Sequence, residues 1–439
     1  MDVLVVGGGG REHAIIKKLK ESSRIGALYC APGNGGIAKD ANCVDIAATD
    51  IPAIVDFAQR NAIDYVVVAP DDPLVLGMVD RLSEIGIPAF GPSKAAARIE
   101  GSKVFSKALM KKYAIPTAAY ESFDDIEKAK SYISSGIEFP VWIKTDGLAL
   151  GKGAIFAGSA EEANSIIEDI MVNKAFGDSG NSIVIEEHMT GPEVSVLAFA
   201  DGNTALPMVS STDHKRALTG DLGPNTGGMG TIAPSPYYTP EIAAECMEKI
   251  FLPTINAMKQ EGSPFAGCLY FGLMLTPKGP MVIEYNCRFG DPETQVVIPL
   301  LQSDLLEIML ACTNGTLKPE MVKFSDGAAV CVVIASGGYP EGYKTGYSIS
   351  GLDKAGNLEN VCVYHAGTKL AENGDILSAG GRVLGVTATA KNLAAAKNAA
   401  YAATEKISFT GSYYRDDIGG ARSHLPFYKF IEKALHNSK

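Results

Sequence analysis

Short runs of β-branched residues alternate with amphipathic stretches over the first hundred residues. The segments at 2–6 (DVLVV), 63–70 (IDYVVVAP) and 87–92 (IPAFGP) predict buried strands, and REHAIIKKLK after GGGG predicts a helix. A strand, a glycine turn, a helix and a second strand form βαβ units, which build parallel sheets. The pattern therefore predicts an N-terminal parallel α/β domain over residues 1–106.

The middle and the end of the chain combine longer helices with alternating strands. EGSKVFSKALMKKY at 100–113 and EIAAECMEKIFLPTINAMK at 241–259 each have helical periodicity, and residues 120–190 form a compact unit of strands and one helix around a glycine-rich loop. From residue 327 on, alternating strand patterns precede one alanine-rich helix. We expect a multidomain α/β and α+β protein, with a second domain over 107–313 and a C-terminal mixed α+β domain over 327–439.

Length and composition agree with this division and restrict the function. The chain has 439 residues, enough for about three domains at ~150 residues each. Its net charge of −11 argues against broad contact with nucleic acid, although a local basic pocket can still bind a small anion. Apolar runs of about eight residues are too short to span a membrane, which needs ~20, and the N-terminus does not resemble a signal peptide.

The cysteines indicate the compartment. All eight are scattered, without a Cys-x-x-Cys pair, and several lie in apolar runs, so we interpret them as reduced residues of a cytoplasmic protein.

The first motif with chemical meaning is GGGGREHA at 7–14, between a predicted strand and a predicted helix. Glycines there let backbone N–H groups approach a phosphate at the positive end of the helix. A plain tight turn is the alternative. A dinucleotide site fits less well, because the spacing does not match G-x-G-x-x-G and the next strand does not end in the acid that binds a ribose.

A second glycine-rich segment, GLALGKGA at 147–154, lies between two predicted strands. It is one residue too short for a P-loop and has Gly153 where that motif has Ser or Thr. We interpret it as a hairpin loop that covers phosphates, although an ordinary mobile hairpin remains open. Lys144 stands among apolar residues just before it and needs an anionic partner or an exit to solvent, whereas Lys103 could equally lie on a solvated helix face.

The segment VIEYNCRFGDPE at 282–293 has the most specific chemistry. Glu284 and Asn286 alternate with apolar residues, so in a strand both point to one face. A carboxylate and an amide oxygen suit a hard cation such as Mg²⁺, usually together with phosphate oxygens, and Arg288 can then clamp an anion. A strand with a polar outer face is the alternative.

Two further polar segments remain open at this stage. Glu186 and Glu187 end an apolar strand, and adjacent residues of a strand point to opposite faces, so one could meet a ligand while the other stays solvated. DHKR at 213–216 and GPNTGGMG at 223–230 form a cation-bearing loop, which is either an ordinary loop or a substrate-binding segment.

Seven motifs in the same order, GGGGREHA, APGNGG, DHKR, GPNTGGMG, EYNCRFGDPET, GGYP and HAGT, make the chain resemble the phosphoribosylamine–glycine ligase (glycinamide ribonucleotide synthetase) family of the ATP-grasp superfamily. The resemblance runs from Val3 to about Gly420. It implies a two-subdomain ATP-grasp core, with 120–190 as a mobile lid. It also implies ATP-dependent joining of glycine to 5-phospho-β-D-ribosylamine through glycyl phosphate, in purine biosynthesis.

The resemblance also implies roles for individual residues. ATP would be bound by Lys103, Lys144, Gly147, Gly151, Lys152, Gly153, Glu186, Glu187 and Glu193. Mg²⁺ or Mn²⁺ would be bound by Glu284 and Asn286, and the catalytic residues would be Arg288, Lys215 and Asp213. Glycine and phosphoribosylamine would be bound by Gly8, Gly9, Gly10, Arg11, Glu12, Asp71, Asn225, Thr226, Gly227, Gly228, Met229 and Gly230.

The chain departs from the family pattern at PDDPLVLG, 70–77, where Asp71 replaces a Glu and Leu76 a Lys. Three other functions compete with the ligase: a different ATP-grasp ligase, a nucleotide-dependent oxidoreductase and a non-enzymatic ATP-binding regulator. The joint presence of the glycine-rich motifs and both metal ligands favours the ligase. We expect small-molecule substrates and a monomer or weak homodimer, with no nucleic-acid or membrane partner.

Overall fold

The computed structural model describes residues 1–149 and 153–420. Its N-terminal sheet is fully parallel, in the order β3-β2-β1-β4-β5, as the βαβ pattern predicts. The strands are β1 (Val3–Gly7), β2 (Leu28–Pro32), β3 (Asn42–Cys43), β4 (Tyr65–Val68) and β5 (Ala89–Phe90). The helices are α1 (Gly10–Leu19), α2 (Ile51–Arg60), α3 (Asp71–Leu76) and α4 (Met78–Glu84), with a 3₁₀ turn at Ile37–Lys39.

Both faces of this sheet are covered. Leu4 and Val6 of β1 belong to one hydrophobic core, and Val3 and Val5 belong to a second core on the opposite face. Since alternate residues of a strand point to opposite faces, a continuous apolar run such as VLVV is typical of a strand buried on both sides. The glycine-rich turn after β1 therefore stands on a rigid support.

The helix predicted over 100–113 is wrong as a single element. The structure has two helices, α5 (Lys94–Gly101) and α6 (Lys103–Lys112), separated at Ser102. Ser102 adopts an extended conformation, with φ −141° and ψ 113°, and its hydroxyl accepts the N–H of Phe105 at 3.1 Å. A serine that caps a helix in this way begins a new helix and ends the preceding one. The break places Lys103 in the first turn of α6.

The small sheet is antiparallel, in the order β6-β9-β7-β8. Its strands are β6 (Tyr120–Phe123), β7 (Val141–Thr145), β8 (Ala154–Ala157) and β9 (Ile183–Glu187), with helices α7 (Ile126–Ser134) and α8 (Ala160–Met171) and a 3₁₀ turn at Gly177–Gly180. Val141 and Ile143 join the core that this sheet shares with its helices. By alternation, Lys144 projects from the other face, and β7 and β8 form the predicted hairpin around the glycine-rich loop.

The central sheet is also antiparallel, in the order β11-β10-β16-β17. Its strands are β10 (Glu193–Asp201), β11 (Ala205–Pro207), β16 (Ala266–Thr276) and β17 (Gly279–Asn286). The helix predicted over 241–259 is interrupted, because α9 (Pro240–Cys246) and α10 (Leu252–Gln260) are joined by a π-helical segment at Met247–Phe251. Pro253 lies in the first turn of α10, where its missing N–H cannot continue the regular hydrogen-bond pattern.

The C-terminal sheet has the order β12-β15-β18-β22-β19, with β23 beside β18. Its strands are β12 (Thr212–Asp213), β15 (Gly230–Ala233), β18 (Ala328–Ser336), β19 (Val361–His365), β22 (Arg382–Ala390) and β23 (Ser412–Tyr413). Two hairpins stand apart, β13 (Arg216–Leu218) with β14 (Leu222–Asn225) and β20 (Thr368–Leu370) with β21 (Ile376–Ser378). Because β12 and β15 flank the DHKR and GPNTGGMG segments, this sheet reaches directly behind them.

The remaining elements are α11 (Thr294–Val297), α12 (Leu305–Asn314), α13 (Leu352–Gly356) and α14 (Leu393–Thr404), with 3₁₀ turns at Ile298–Leu300 and Pro319–Met321. All eight cysteines have free thiols, as their scattered positions predict. Within 1–149 and 153–420, no helix is long and apolar enough to cross a bilayer.

Candidate active site

A buried carboxylate between two lysines marks the face of the small sheet opposite its core. The Nζ of Lys107 in α6 lies 2.5 Å from Glu186 Oε2, and the Nζ of Lys144 in β7 contacts Glu186 Oε1. All three residues are buried. Burial raises the pKa of Glu186, but the charges of Lys144 and Lys107 outweigh it and hold this pKa below its usual range. Of the two alternatives for Lys144, an anionic partner or an exit to solvent, the structure has the first, and the partner is Glu186.

Lys107 was missed at the sequence level. It lies one turn beyond Lys103 on α6 and next to the buried Leu109 and Met110, so a cation on the buried face of the helix was the available signal. Burial lowers the pKa of Lys107, and Glu186 opposes this shift. Lys107 Nζ also donates to the hydroxyl of Thr117 at 2.7 Å. Two of its three donors thus have fixed partners.

The N-terminus of α6 is fastened to the start of the glycine-rich loop. Asp146 Oδ1 accepts the Ser102 hydroxyl at 2.9 Å and the Val104 N–H at 3.1 Å, and Lys103 Nζ donates to the carbonyl of Gly147 at 3.3 Å. Gly147 has φ +131°, a conformation that favours glycine. The described end of the loop is equally constrained at Gly153. Gly151 and Lys152, which the sequence assigns to ATP, lie outside the described residues.

Glu187 and Glu193 occupy different surroundings. Glu187 is exposed and accepts the N–H of Ala119 at 3.0 Å, whereas its neighbour Glu186 is buried, as the alternation of a strand predicts. Glu193 begins β10 and contacts Lys215 Nζ at 2.8 Å. The charge of Glu193 raises the pKa of Lys215, so Lys215 stays cationic.

A small cleft opens between β10, β16 and β17. Glu284 lies in its wall beside Lys215 and Tyr270. Burial raises the pKa of Glu284, but the charges of Lys215, Lys144 and Lys103 outweigh this effect and lower it. The carboxylate is therefore ionised and faces several cations. Its neighbour Asn286, two residues along β17, accepts Arg288 Nη2 at 3.1 Å through its side-chain oxygen.

Arg288 is held by two carboxylates, of which Asp71 was a predicted site residue and Glu100 was not. Its Nη2 lies 3.0 Å from Glu100 Oε1 and 3.7 Å from Asp71 Oδ2. Glu100 lies in the last turn of α5 and also accepts the N–H of Cys287 at 2.7 Å. Burial raises the pKa of Glu100, and the charge of Arg288 opposes it. The Nε of Arg288 is buried without a hydrogen-bond partner, which leaves one donor free for a ligand.

The glycine-rich turn after β1 adjoins this arginine. Glu12 accepts the N–H of Gly9 at 2.5 Å and Arg11 Nε at 2.6 Å, and Arg11 Nη1 donates to the carbonyl of Phe289 at 3.1 Å. A β-carbon at Gly8 would lie 2.5 Å from the carbonyl oxygen of Gly33, and one at Gly10 would lie 2.5 Å from Gln295 Nε2. Gly8 is thus required sterically because it faces backbone, whereas a side chain at Gly10 would have to displace the end of Gln295, and the turn packs beside residues 288–295.

The 225–230 segment runs from β14 to β15 and lies against Asp213. Thr226 donates both its N–H and its hydroxyl to the carbonyl of Lys215, each at 2.8 Å. A β-carbon at Gly228 would lie 2.5 Å from Pro292 Cδ and 2.7 Å from Asp213 Oδ1. Asn225 and Gly227 are exposed, whereas Gly228, Met229 and Gly230 are buried.

The carboxyl of Asp213 has a raised pKa. Burial and the charge of Glu293 raise its pKa to about 8, although Lys215 and Arg382 act in the opposite direction. Arg382 also escaped the sequence analysis, because it lies in β22, far along the chain.

The candidate site therefore combines the glycine turn, Asp71, Arg288, the cleft residues and the 225–230 segment in one continuous region.

Comparison with known families identifies this arrangement. Three family models match: phosphoribosylglycinamide synthetase N domain over residues 1–100, its ATP-grasp (A) domain over 101–294 and its C domain over 329–421. The chain belongs to the phosphoribosylglycinamide synthetase family. The resemblance drawn from the seven motifs is confirmed, and so is the predicted fold class with an ATP-grasp core between an N-terminal parallel domain and a C-terminal mixed domain.

Curated relatives share almost the whole length of the chain. It is 47% identical over 418 residues to a phosphoribosylamine–glycine ligase of Caldanaerobacter subterraneus subsp. tengcongensis, covering 95% of this chain and 99% of the relative. It is 46% identical over 425 residues to a protein of the same name from Salmonella typhimurium, covering 95% and 98%.

Solved structures support the same assignment. A phosphoribosylamine–glycine ligase from Thermotoga maritima matches with a TM-score of 0.83 and 33% identity, over 95% of this chain and all of the other. A biotin carboxylase domain from Hydrogenobacter thermophilus matches with a TM-score of 0.73 and 19% identity, over 94% and 91%, which shows a shared fold.

Proposed function

We propose that the chain is an ATP-dependent ligase that joins glycine to 5-phospho-β-D-ribosylamine. The products are glycinamide ribonucleotide, ADP and phosphate, and the reaction is a step of purine biosynthesis. One observation carries this proposal: curated relatives with 46–47% identity over 95% of the chain have this activity as their name. The continuous site around Glu284, Lys215 and Arg288 supplies charges of the kind that phosphoryl transfer needs.

The chemistry begins with the carboxylate of glycine, which is a poor electrophile until it is phosphorylated. A carboxylate oxygen attacks the γ-phosphorus of ATP, ADP leaves, and the ribosylamine nitrogen then displaces phosphate from glycyl phosphate. Phosphoryl transfer depends mainly on positioning and charge neutralisation. We assign ATP to Lys103 and Lys144, to Gly147, Gly151, Lys152 and Gly153 of the covering loop, and to Glu186, Glu187 and Glu193 for adenine and ribose.

The residues present fit a divalent metal ion. Glu284 and Asn286 offer a carboxylate and an amide oxygen, the ligand types that Mg²⁺ prefers, and the lowered pKa of Glu284 keeps its charge available. Within the described part of the chain, no group of three or more His, Cys, Asp or Glu side chains could hold a metal ion. Phosphate oxygens would therefore complete the ligand set. The ion, Mg²⁺ or Mn²⁺, would neutralise charge on the phosphates.

The acceptor side is assigned to the remaining residues. Gly8–Gly10, Arg11 and Glu12 approach the ribose phosphate, Asp71 a ribose hydroxyl, and Arg288 the transferring phosphate. Asp213, Lys215 and residues 225–230 face glycine and the ribosylamine. The raised pKa of Asp213 makes its ionised form a stronger base, which can accept the proton that the amine nitrogen loses as the amide forms.

The same proposal extends to the arrangement of the chain. We divide it into domains over 1–106, 107–313 and 327–439, with 120–190 as a lid that closes over ATP and excludes water from glycyl phosphate. Free thiols throughout the protein support a reducing, cytoplasmic location. We propose a monomer or weak homodimer, which sedimentation at several concentrations would test.

The experiment measures ADP release with ATP and Mg²⁺ while glycine or freshly generated phosphoribosylamine is omitted in turn. We expect release only when both are present. Release with another acid in place of glycine would contradict the assigned substrate but keep the ATP-grasp chemistry. An absence of release in every combination would contradict the enzymatic function.

A further inference from the structure

The C-terminal sheet sends one arginine across to the candidate acceptor site. Arg382 begins β22, and its Nη1 donates to the carbonyl of Gly227 at 2.6 Å and to the carbonyl of Asp291 at 2.7 Å. Its Nη2 lies 3.2 Å from the Asp291 carboxylate. The side chain is only 21% exposed. One guanidinium thus joins the 225–230 segment to the turn that follows Arg288.

A second side chain from the C-terminal region reaches the same glycine. The Tyr339 hydroxyl accepts the N–H of Gly227 at 3.1 Å, and the Tyr339 carbonyl accepts the Tyr413 hydroxyl at 2.9 Å. A β-carbon at Gly381 would collide with the Tyr339 ring, so this ring lies directly on the start of β22. The GGYP motif, which has no other role in the site, therefore supports the contact that Arg382 makes.

The contact is close enough to fix the segment. A β-carbon at Gly227 would lie 3.1 Å from Arg382 Cζ, and Gly228 is enclosed between Pro292 and Asp213. Hydrogen bonds from a charged donor are stronger than neutral ones, and a guanidinium can bind two acceptors in a fixed geometry. The charge of Arg382 also lowers the pKa of Asp213, against burial and Glu293.

We propose that Arg382, supported by Tyr339, is a positioning residue that holds the 225–230 segment against Asp291 and thereby completes the acceptor half of the active site. This inference rests on the proposed function. It assigns the C-terminal sheet a part in catalysis, because a side chain from β22 joins the acceptor segment to Asp291. ATP binding, which uses other residues, does not depend on it.

The test compares Arg382→Ala, Tyr339→Phe and the control Arg60→Ala, whose arginine is 77% exposed in an ion pair with Asp56. We expect Arg382→Ala to lower kcat/KM for phosphoribosylamine and glycine by about 100-fold, since small displacements of reacting groups cost this much. Affinity for ATP should stay within about threefold, because the ATP residues keep their contacts. Added guanidinium at a low, non-denaturing concentration should raise kcat/KM of Arg382→Ala about tenfold, since it can occupy the place of the missing side chain.

Tyr339→Phe removes only the hydroxyl that accepts the Gly227 N–H, so it tests the contact if Arg382→Ala does not fold. We expect it to lower the same kcat/KM by about fivefold, the value of one neutral hydrogen bond. Wild-type kinetics in both variants, or an equal loss of ATP and acceptor binding in Arg382→Ala without rescue by guanidinium, would overturn the proposal.

Hydrogen–deuterium exchange separates this inference from the proposed function, because it needs no activity. Residues 225–230 should exchange faster in Arg382→Ala than in the wild-type chain and at the wild-type rate in Arg60→Ala. Unchanged exchange would overturn the positioning role even in an active ligase. Faster exchange in a chain whose wild type releases no ADP would instead contradict the proposed function alone.

Discussion

The Glu186 carboxylate is contacted by two buried lysines. Lys107→Met should lower the free energy of unfolding by about 2 kcal/mol, because Glu186 Oε2 and the Thr117 hydroxyl lose their buried donor although Lys144 still balances the charge. Lys111→Met is the matched control, since Lys111 lies one turn further along α6, is 66% exposed and is 3.7 Å from Glu121. Lys111→Met should lower the free energy of unfolding by less than about 1 kcal/mol. Chemical denaturation measures both variants, and equal stabilities would contradict the role of the buried pair.

Glu284→Gln tests whether Glu284 binds the metal ion. The change keeps the shape of the side chain and removes one negative charge, so turnover should fall by about 100-fold or more, whereas the thermal midpoint should change little. Glu127→Gln, on the exposed side of α7, provides the control. Steady-state ADP release checks the prediction. Near-normal turnover in Glu284→Gln would show that the metal lies elsewhere.

The hairpin of β7 and β8 has no room for a side chain at Gly153, directly before β8. A β-carbon at Gly153 would collide with the Thr145 hydroxyl and lie 2.6 Å from Ala149 Cβ. Gly153→Ala should therefore displace the loop and weaken ATP binding by about tenfold, since loop position governs closure over the phosphates. Gly356→Ala is the control, because nothing lies within 4 Å of its added carbon.

Trp142 offers a direct reading of this experiment. It is the single tryptophan of the chain, lies on β7 and donates its ring N–H to His188 at 3.0 Å. Its fluorescence during an ATP titration should give the affinity of each variant, Gly153→Ala and Gly356→Ala, for ATP. Equal affinities in Gly153→Ala and Gly356→Ala would contradict the importance of the loop geometry.

Two buried histidines, His13 and His365, join the N-terminal and C-terminal sheets. His13 Nδ1 accepts the backbone N–H of His365 at 2.8 Å, and His13 Nε2 faces Asp40 at 3.0 Å. Burial lowers the pKa of both rings. For His365, burial together with the charges of His13, Lys39 and Lys17 lowers the pKa to about 3, although Asp40 opposes this. The interface is thus built with neutral imidazoles.

The sign of the pH effect follows from these shifts. An unfolded chain protonates its histidines near pH ~6.5, whereas His365 in the folded protein stays neutral down to about pH 3, so the unfolded state binds more protons between these values. Stability should therefore fall as the pH drops below ~6.5. Between pH ~7 and ~5, the wild-type chain should lose about 1–2 kcal/mol more than His365→Gln. Denaturation at both pH values measures this, and identical losses would contradict it.

Local chemistry in the sequence predicted much of this molecule. The βαβ pattern led to the parallel sheet, and the alternation around Glu186 separated a buried from an exposed carboxylate. The apolar neighbours of Lys144 indicated an anionic partner or an exit to solvent, and the structure has the partner. These features depend on residues close together in the chain, where the periods of strands and helices suffice. The assignment of the remaining candidate residues to ligands stays a prediction.

Long-range contacts escaped prediction for a physical reason. Arg382 meets Gly227 across 155 positions, and Glu100 meets the N–H of Cys287 across 187. Each contact exists only because separate sheets pack together, and neither residue differs locally from an ordinary polar surface residue. The break at Ser102 was missed although it has a local signal, a glycine at the end of one helix followed by a serine that caps the next.

In the proposed reaction the carboxylate of glycine is phosphorylated first, and its acyl group is then transferred to an amine. Glycine labelled with ¹⁸O in both carboxylate oxygens, incubated with ATP, Mg²⁺ and phosphoribosylamine, tests it by mass spectrometry of the products. We expect one labelled oxygen in the released phosphate and the other in the amide product. Unlabelled phosphate, or ADP release without an amide of glycine, would contradict it.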